Sequence, residues 1–274
     1  MLGLEHSISG DVAFPGRTND DAVAPNLWEF NPSRVASLMG LTIAECTLDT
    51  ATGSGYRLAK QIYADAGSDE GSVPILYDRL TKTIVNNESA EIIRMFNQHA
   101  AELGSFYDDS IRTNLYPENP GVQTHIDSLD TEIYQSINNG ASNADFSSDQ
   151  NVYATAFAAY FSMLDKLEAL LGKDSRPFLT GDTFIEADLR LYPTLFRHDP
   201  VYYLRMKLNA AKLLDYPYLW RWLCRVYAMP GVVESNSLDH CKQGYFGRLW
   251  NNVVPLGPSH PMPYPKAYLH PELA

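Results

Sequence analysis

A chain of 274 residues, 45% hydrophobic and 20% charged, is long enough to bury one large or two ordinary cores and too apolar to remain disordered. Its 33 acidic and 21 basic residues leave a formal charge of −12, which argues against nucleic acid or an anionic membrane surface as a partner. Sixteen of the acids but only seven of the bases fall within residues 1–110, so an acidic front half precedes a nearly neutral, aromatic-rich back half, as two units in different surroundings would. Cys46, Cys224 and Cys241 are too few and too scattered for a disulfide framework or a zinc site. The expectation is a reducing intracellular compartment, with cytoplasm and organelle interior (mitochondrial or plastid) equally open. No apolar run approaches the roughly 18 residues of a membrane span, and the start shows no signal pattern. His198 beside Asp199 and Asp239 beside His240 do not have the spacing of a metal pair on one helix face, so no metal is expected.

In chain order, residues 1–25 carry Gly, Asp and Pro without periodicity and read as an irregular arm. Residues 26–41 read as a loop and short helix, with Val35, Leu38 and Met39 apolar and Gly40 as the stop. Thr42–Leu48 alternates like a strand, and Tyr56–Ala66 places Leu58, Ile62 and Tyr63 on one helical face. Val73–Tyr77 and Thr83–Val85 read as a hairpin of strands. Asn86–Asn97 then opens with polar residues suited to a helix entrance and continues with Ile92, Ile93 and Phe96 on one side, Glu91 and Arg94 on the other. Its first turn, at Glu88 and Ser89, offers free N–H groups and a partial positive charge to a small anion.

Beyond residue 100 the period is helical. Val122, Ile126, Leu129, Ile133 and Ile137 form one stripe, and Phe157, Phe161, Leu164, Leu167 and Leu171 another that ends at Gly172. Ala187–Phe196 and Tyr218–Tyr227 add two helices, and Trp220-Arg221-Trp222 with its neighbouring tyrosines reads as a packing face in preference to an interface anchor. Residues 254–274 hold six prolines and read as an extended strap. The expected organisation is an arm (1–25), a thioredoxin-like domain altered at its start (26–100), an all-helical domain (101–253) and the strap (254–274).

These residues resemble the glutathione transferases, and specifically their xi class, the glutathionyl-hydroquinone reductases. Asn86-Asn87-Glu88-Ser89-Ala90-Glu91-Ile92-Ile93-Arg94 is similar to that class's third-helix entrance. Glu186-Ala187-Asp188-Leu189-Arg190-Leu191, Arg197-His198-Asp199-Pro200-Val201-Tyr202, Met229-Pro230-Gly231, Asp239-His240, Tyr245-Phe246 and Gly257-Pro258 continue the likeness in order. It covers residues 70–258. The resemblance implies a thioredoxin-like α/β domain followed by an all-α domain. It also implies glutathione at Glu88 and Ser89, which would hold the γ-glutamyl end, and at Val73-Pro74, a cis-proline turn offering backbone bonds to the cysteinyl part.

The chain departs from the family where the family's chemistry lies. The resemblance implies a nucleophilic cysteine at the start of the first helix, and counting back from Leu38-Met39-Gly40 puts Asn26 there, with Trp28 retained. Ser142 stands where the family has a pocket tyrosine, and Tyr245 keeps the second one. Ala51–Gly55 offers no counterpart to the tryptophan that covers the bound peptide, and Ile185 replaces a capping threonine three residues before Asp188, unless Thr183 substitutes. An amide cannot form a mixed disulfide. The resulting expectation is a transferase-fold protein without catalytic activity, serving as a structural or interaction subunit of a larger protein assembly, with no cofactor or with glutathione if the site is retained. The alternative is a divergent glutathione-dependent transferase or reductase that uses a hydroxyl, on Ser142 or Tyr245, instead of a thiol.

Overall fold

The computed structural model describes residues 2–16, 18, 26–35, 46–108, 110–247 and 253–255. The chain divides into two compact units, one holding Met1–Arg112 and the stretch that begins at Ser237, the other running from Thr113 to Asn236.

In the first unit, residues 27–30 run extended between two neighbours. Phe14 N donates to Glu29 O and Thr18 N to Leu27 O on one side, while Phe30 N donates to Arg57 O and Ala59 N to Trp28 O on the other. Helix α1 (Pro32–Val35) follows, and Pro32 suits a first helical turn because its missing N–H would have no partner there. Residues 36–45 of the expected helix and strand lie outside the described residues; Cys46–Leu48, the described end of that strand, belong to no strand. Helix α2 (Ala59–Asp65) buries Ala59, Ile62 and Tyr63, and Ala59 and Ile62 form a small core with Phe30, flanked by Trp28, Val73, Ile75, Tyr77 and Ile84.

The expected hairpin is present, but shifted along the chain. Strand β1 is Leu76–Asp78 and pairs antiparallel with β2 (Thr83–Asn86), Tyr77 opposite Ile84 and Asp78 opposite Thr83. The Val73–Pro74 peptide is cis, and Pro74 cannot donate to a ladder, so pairing starts only at Leu76. Asp78 closes the turn by accepting from Leu80 N (2.9 Å) and Thr81 Oγ1 (2.6 Å). Helix α3 (Ser89–Gln98) follows directly.

The second unit is helical. Asn119 caps α4 (Pro120–Ile133) by accepting from Gly121 N and Val122 N, with Ile126, Leu129 and Ile133 buried as expected. A π-helical turn at Tyr134–Asn138 leads into α5 (Asn139–Phe146). Asp149 caps α6 (Gln150–Gly172), whose predicted stripe is buried at Phe161, Leu164, Leu167 and Leu171. A Cβ at Gly172 would lie 2.8 Å from the Tyr218 ring, so only glycine lets that ring approach. Helix α7 (Glu186–Phe196) is buried on nearly every side, and after a π-helical turn at His198–Tyr202 come α8 (Tyr203–Arg205) and α9 (Pro217–Tyr227). Glu168 of α6 caps α9 by accepting from Tyr218 N and Leu219 N. Trp220 and Trp222 are buried, so the aromatic cluster is core, and Trp222 Nε1 donates to the buried Asp188 at 2.7 Å.

The replaced cap on α7 is only half restored. Asp188 accepts from Ile185 N (3.2 Å) and from Leu179 N (3.1 Å), but the Ile185 side chain has no acceptor to return the bond, and Thr183 is exposed and makes no hydrogen bond among the described residues. The chain then returns to the first unit in α10 (Leu238–Phe246), capped by Ser237, with His240 Nε2 and Ala13 O 3.1 Å apart. Among the described residues no helix is long and apolar enough to cross a membrane.

Candidate functional site: a cradle between the cis-proline turn and helix α3

The site is built from two backbone segments of the first unit. The first is Val73, whose N–H and C=O take part in no hydrogen bond among the described residues, and which the cis-Pro74 turn holds in a fixed orientation. The second is the entrance to α3. Glu88 is its N-cap (φ −95°, ψ 113°), no side chain caps the helix, and the N–H groups of the first turn at Ser89 and Ala90 therefore remain available. Asn86 shapes this entrance from both ends of its amide, accepting from Glu88 N (2.7 Å) and donating to Glu91 Oε2 (2.6 Å). The carboxylate of Glu88 and the hydroxyl of Ser89 are both exposed. An extended backbone can pair with Val73 while a carboxylate settles on the helix end, where unbonded N–H groups and the helix dipole favour negative charge. A peptide with a free carboxylate at one end fits this arrangement.

Asn87 joins the two segments. Its Nδ2 donates to Glu70 Oε2 at 2.6 Å and to Ser72 Oγ at 3.1 Å, and Ser72 Oγ lies 3.2 Å from the hydroxyl of the buried Tyr63. Nothing in the spacing of Glu70, Ser72 and Asn87 marks them as partners; the one available signal is the Asn-Asn pair ahead of the helix.

Asn26, which counting along the chain puts at the family's cysteine position, does not lie at the entrance to α1. It sits upstream in a left-handed turn (φ 67°), its N–H donating to Thr18 O, and the extended segment 27–30 separates it from the helix. That segment is extended, not helical. The residue ahead of Pro32 is Asn31, again an amide. Cys46, though distant in sequence, lies near the Asn31 backbone, and its Sγ donates to Thr47 O at 3.9 Å. Burial pushes its thiol pKa up, the nearby Asn31 N–H opposes the rise, and the Glu29 carboxylate adds to it. Glu29 is itself buried and paired with Arg57 at 3.0 Å. A thiol held in its protonated form is a poor nucleophile.

Tyr245 is partly buried on α10 and shares the first unit with Val73, Pro74, Glu88 and Ser89, whereas Ser142 is partly buried on α5 of the other unit and makes no hydrogen bond among the described residues. The described residues contain no group of three or more His, Cys, Asp or Glu side chains placed to hold a metal.

A second polar cluster lies inside the helical unit. Arg190 Nη1 reaches Asp130 Oδ2 (3.1 Å) and Glu186 Oε1 (3.3 Å), both acids buried, and Asn138 of the π-helical turn donates to Arg190 O (3.1 Å) and Thr194 Oγ1 (2.7 Å).

A cis-proline turn and a helix entrance in one unit, followed along the chain by an all-helical unit, fit the glutathione-transferase fold, a thioredoxin-like domain joined to an all-α domain. Residues 150–225 match the family described as glutathione S-transferase, C-terminal domain. The chain is 37% identical to the glutathionyl-hydroquinone reductase YqjG of Escherichia coli over 258 residues, which are 94% of this chain and 71% of that protein. It is 34% identical to the glutathionyl-hydroquinone reductase PcpF of Sphingobium chlorophenolicum, over 96% of this chain and 78% of that one. Among solved structures, glutathione-bound YqjG superposes with a TM-score of 0.70 at 37% identity, over 85% of this chain and 70% of the other. A Xi class transferase from Natrialba magadii gives 0.79 at 31% identity, over 93% and 72%. The chain belongs to the Xi class of glutathione transferases, the glutathionyl-hydroquinone reductase family.

Proposed function

We propose that this protein is a glutathione-dependent transferase or reductase of Xi type that works without a cysteine at its first helix. The observation that carries the reading is the intact cradle. Val73 keeps both backbone groups open next to a cis-proline, and the uncapped first turn of α3 presents Ser89 with Glu88 alongside. Glutathione fits it by chemistry: its extended cysteinyl backbone would pair with Val73, its γ-glutamyl carboxylate would meet the Ser89 hydroxyl and N–H, and its ammonium would meet Glu88. Glutathione would supply the thiol, and reducing a glutathionylated hydroquinone requires an S–S bond to form between two glutathione sulfurs as the aryl C–S bond breaks and the ring carbon takes a proton. The chain's part is to hold and orient the peptide and to place a hydroxyl near the reacting oxygen. Tyr245 is assigned that hydroxyl because it shares a unit with the cradle, which Ser142 does not.

The main expectation from the sequence, an inactive structural or interaction subunit of a larger assembly, rests on the amide at the expected cysteine position and the missing pocket tyrosine and tryptophan; the relatives are named as reductases and transferases, which favours the alternative, the enzyme. Titration calorimetry with glutathione and a turnover assay on a glutathionylated hydroquinone test the reading. Binding is expected, together with turnover that falls at least tenfold in Tyr245→Phe, the scale of one lost transition-state hydrogen bond. No binding under conditions where the E. coli relative binds, or turnover untouched by Tyr245→Phe, overturns it.

A further inference from the structure

The two halves of the cradle come from separate segments of chain, and their separation decides whether one peptide can reach both. Asn87 is placed to set that separation. It precedes Glu88 and Ser89 directly, and its side-chain amide spends both protons on the segment that leads into Val73, one on Glu70 and one on Ser72. The bond to Glu70 is short and has a charged acceptor, which makes it stronger than an ordinary neutral pair. The bond to Ser72 continues to Tyr63, a buried residue of α2, so the exposed cradle is referenced to the core of its own unit. No other side-chain hydrogen bond among the described residues joins residues 70–74 to residues 86–89.

Resting on the glutathione reading above, we infer that Asn87 is a positioning residue for the peptide. By holding Ser72 and Glu70 it fixes the spacing between the Val73 backbone and the Ser89 N–H, while touching no ligand itself. A clamp of this kind acts on affinity by preorganisation: without it the two segments still fold, but the peptide must order them on binding. The chemistry also dictates polarity. Asn87 is the donor and Glu70 the acceptor, so Asn87→Asp sets two carboxylates against each other, and Glu70→Gln in the same chain supplies the donor that the substitution removed.

Full-length wild type, Asn87→Asp, Glu70→Gln and the double variant are titrated with glutathione, and their thermal midpoints are recorded. Asn87→Asp should weaken binding roughly tenfold, while the double variant recovers to within about threefold of wild type. Midpoints should stay close together, since Glu70 is exposed and Asn87 only half-buried. A merely structural role would move midpoint and affinity together. Wild-type affinity in Asn87→Asp, or no rescue in the double variant, overturns the inference and leaves the glutathione reading standing. A wild type that does not bind glutathione overturns both, and is told apart by the wild-type titration alone.

Discussion

Replacing Asp130 by asparagine should make the protein more stable at alkaline pH and leave it nearly unchanged at acidic pH. Asp130 and Glu186 are both buried against a single guanidinium, that of Arg190. If both acids were ionised, the cluster would carry a net negative charge away from water, a costly arrangement. Asp130 Oδ1 is buried with no donor facing it, and a proton on Asp130 removes the excess charge and supplies a donor toward Glu186. Burial, with Glu186 adding to it and Arg190 opposing, raises the Asp130 pKa from 3.8 to about 7. The folded-state value lies above the unfolded one, so this contribution is fully present below pH 3.8 and is lost as pH rises through about 7. At about 1.4 kcal/mol per pH unit the ceiling is about 4 kcal/mol. An asparagine amide imitates the protonated acid, with its oxygen toward Arg190 and its Nδ2 toward Glu186. Urea unfolding followed by tryptophan fluorescence at pH 5 and pH 8 should show Asp130→Asn gaining roughly 2 kcal/mol at pH 8 relative to its difference at pH 5. A variant that parallels wild type at both pH values would refute a proton held at this site.

Two further predictions concern side chains outside the cradle. Trp222→Phe deletes the donor to Asp188 and should cost about 1–3 kcal/mol. Burial already raises Asp188 to about 6, and the Trp222 bond opposes that rise, so the cost should grow between pH 5 and pH 8, as denaturation at the two values would show. Cys46 should react with iodoacetamide more slowly at pH 7 than an unhindered thiol and accelerate as the pH approaches and passes 9, measured by peptide mass spectrometry. Rapid labelling at neutral pH would mean that the half-buried, Glu29-facing thiol is not the ground state.

Much of the fold is written in local periodicity. The stripes Ile126–Leu129–Ile133 and Phe161–Leu164–Leu167–Leu171 need only a helix and a core to meet, and both became buried faces. The α3 entrance was equally legible, because Asn86-Asn87-Glu88-Ser89 is contiguous in sequence, whereas the cis-proline at Val73-Pro74 was implied by the family resemblance. The start of the first unit was not legible. Segment 27–30 is extended by bonds to residues 14, 18, 57 and 59, partners that no window around Trp28 contains. Asp130 was hidden for a related reason: it lies beside Leu129 on the apolar side of α4, and only the packing of α7 explains why a carboxyl is buried there.

The sequence by itself determined the helices, the turn, the helix entrance and the family, because each depends on neighbours within a few residues or on many matches in order. Tertiary structure decided what those pieces hold: that Asn31, not Asn26, precedes the first helix, that Cys46 returns to it, and that Asn87 reaches Glu70 and Ser72. A hydrogen bond reaches about 3 Å, and which distant atoms come within that range is fixed only once the chain has folded.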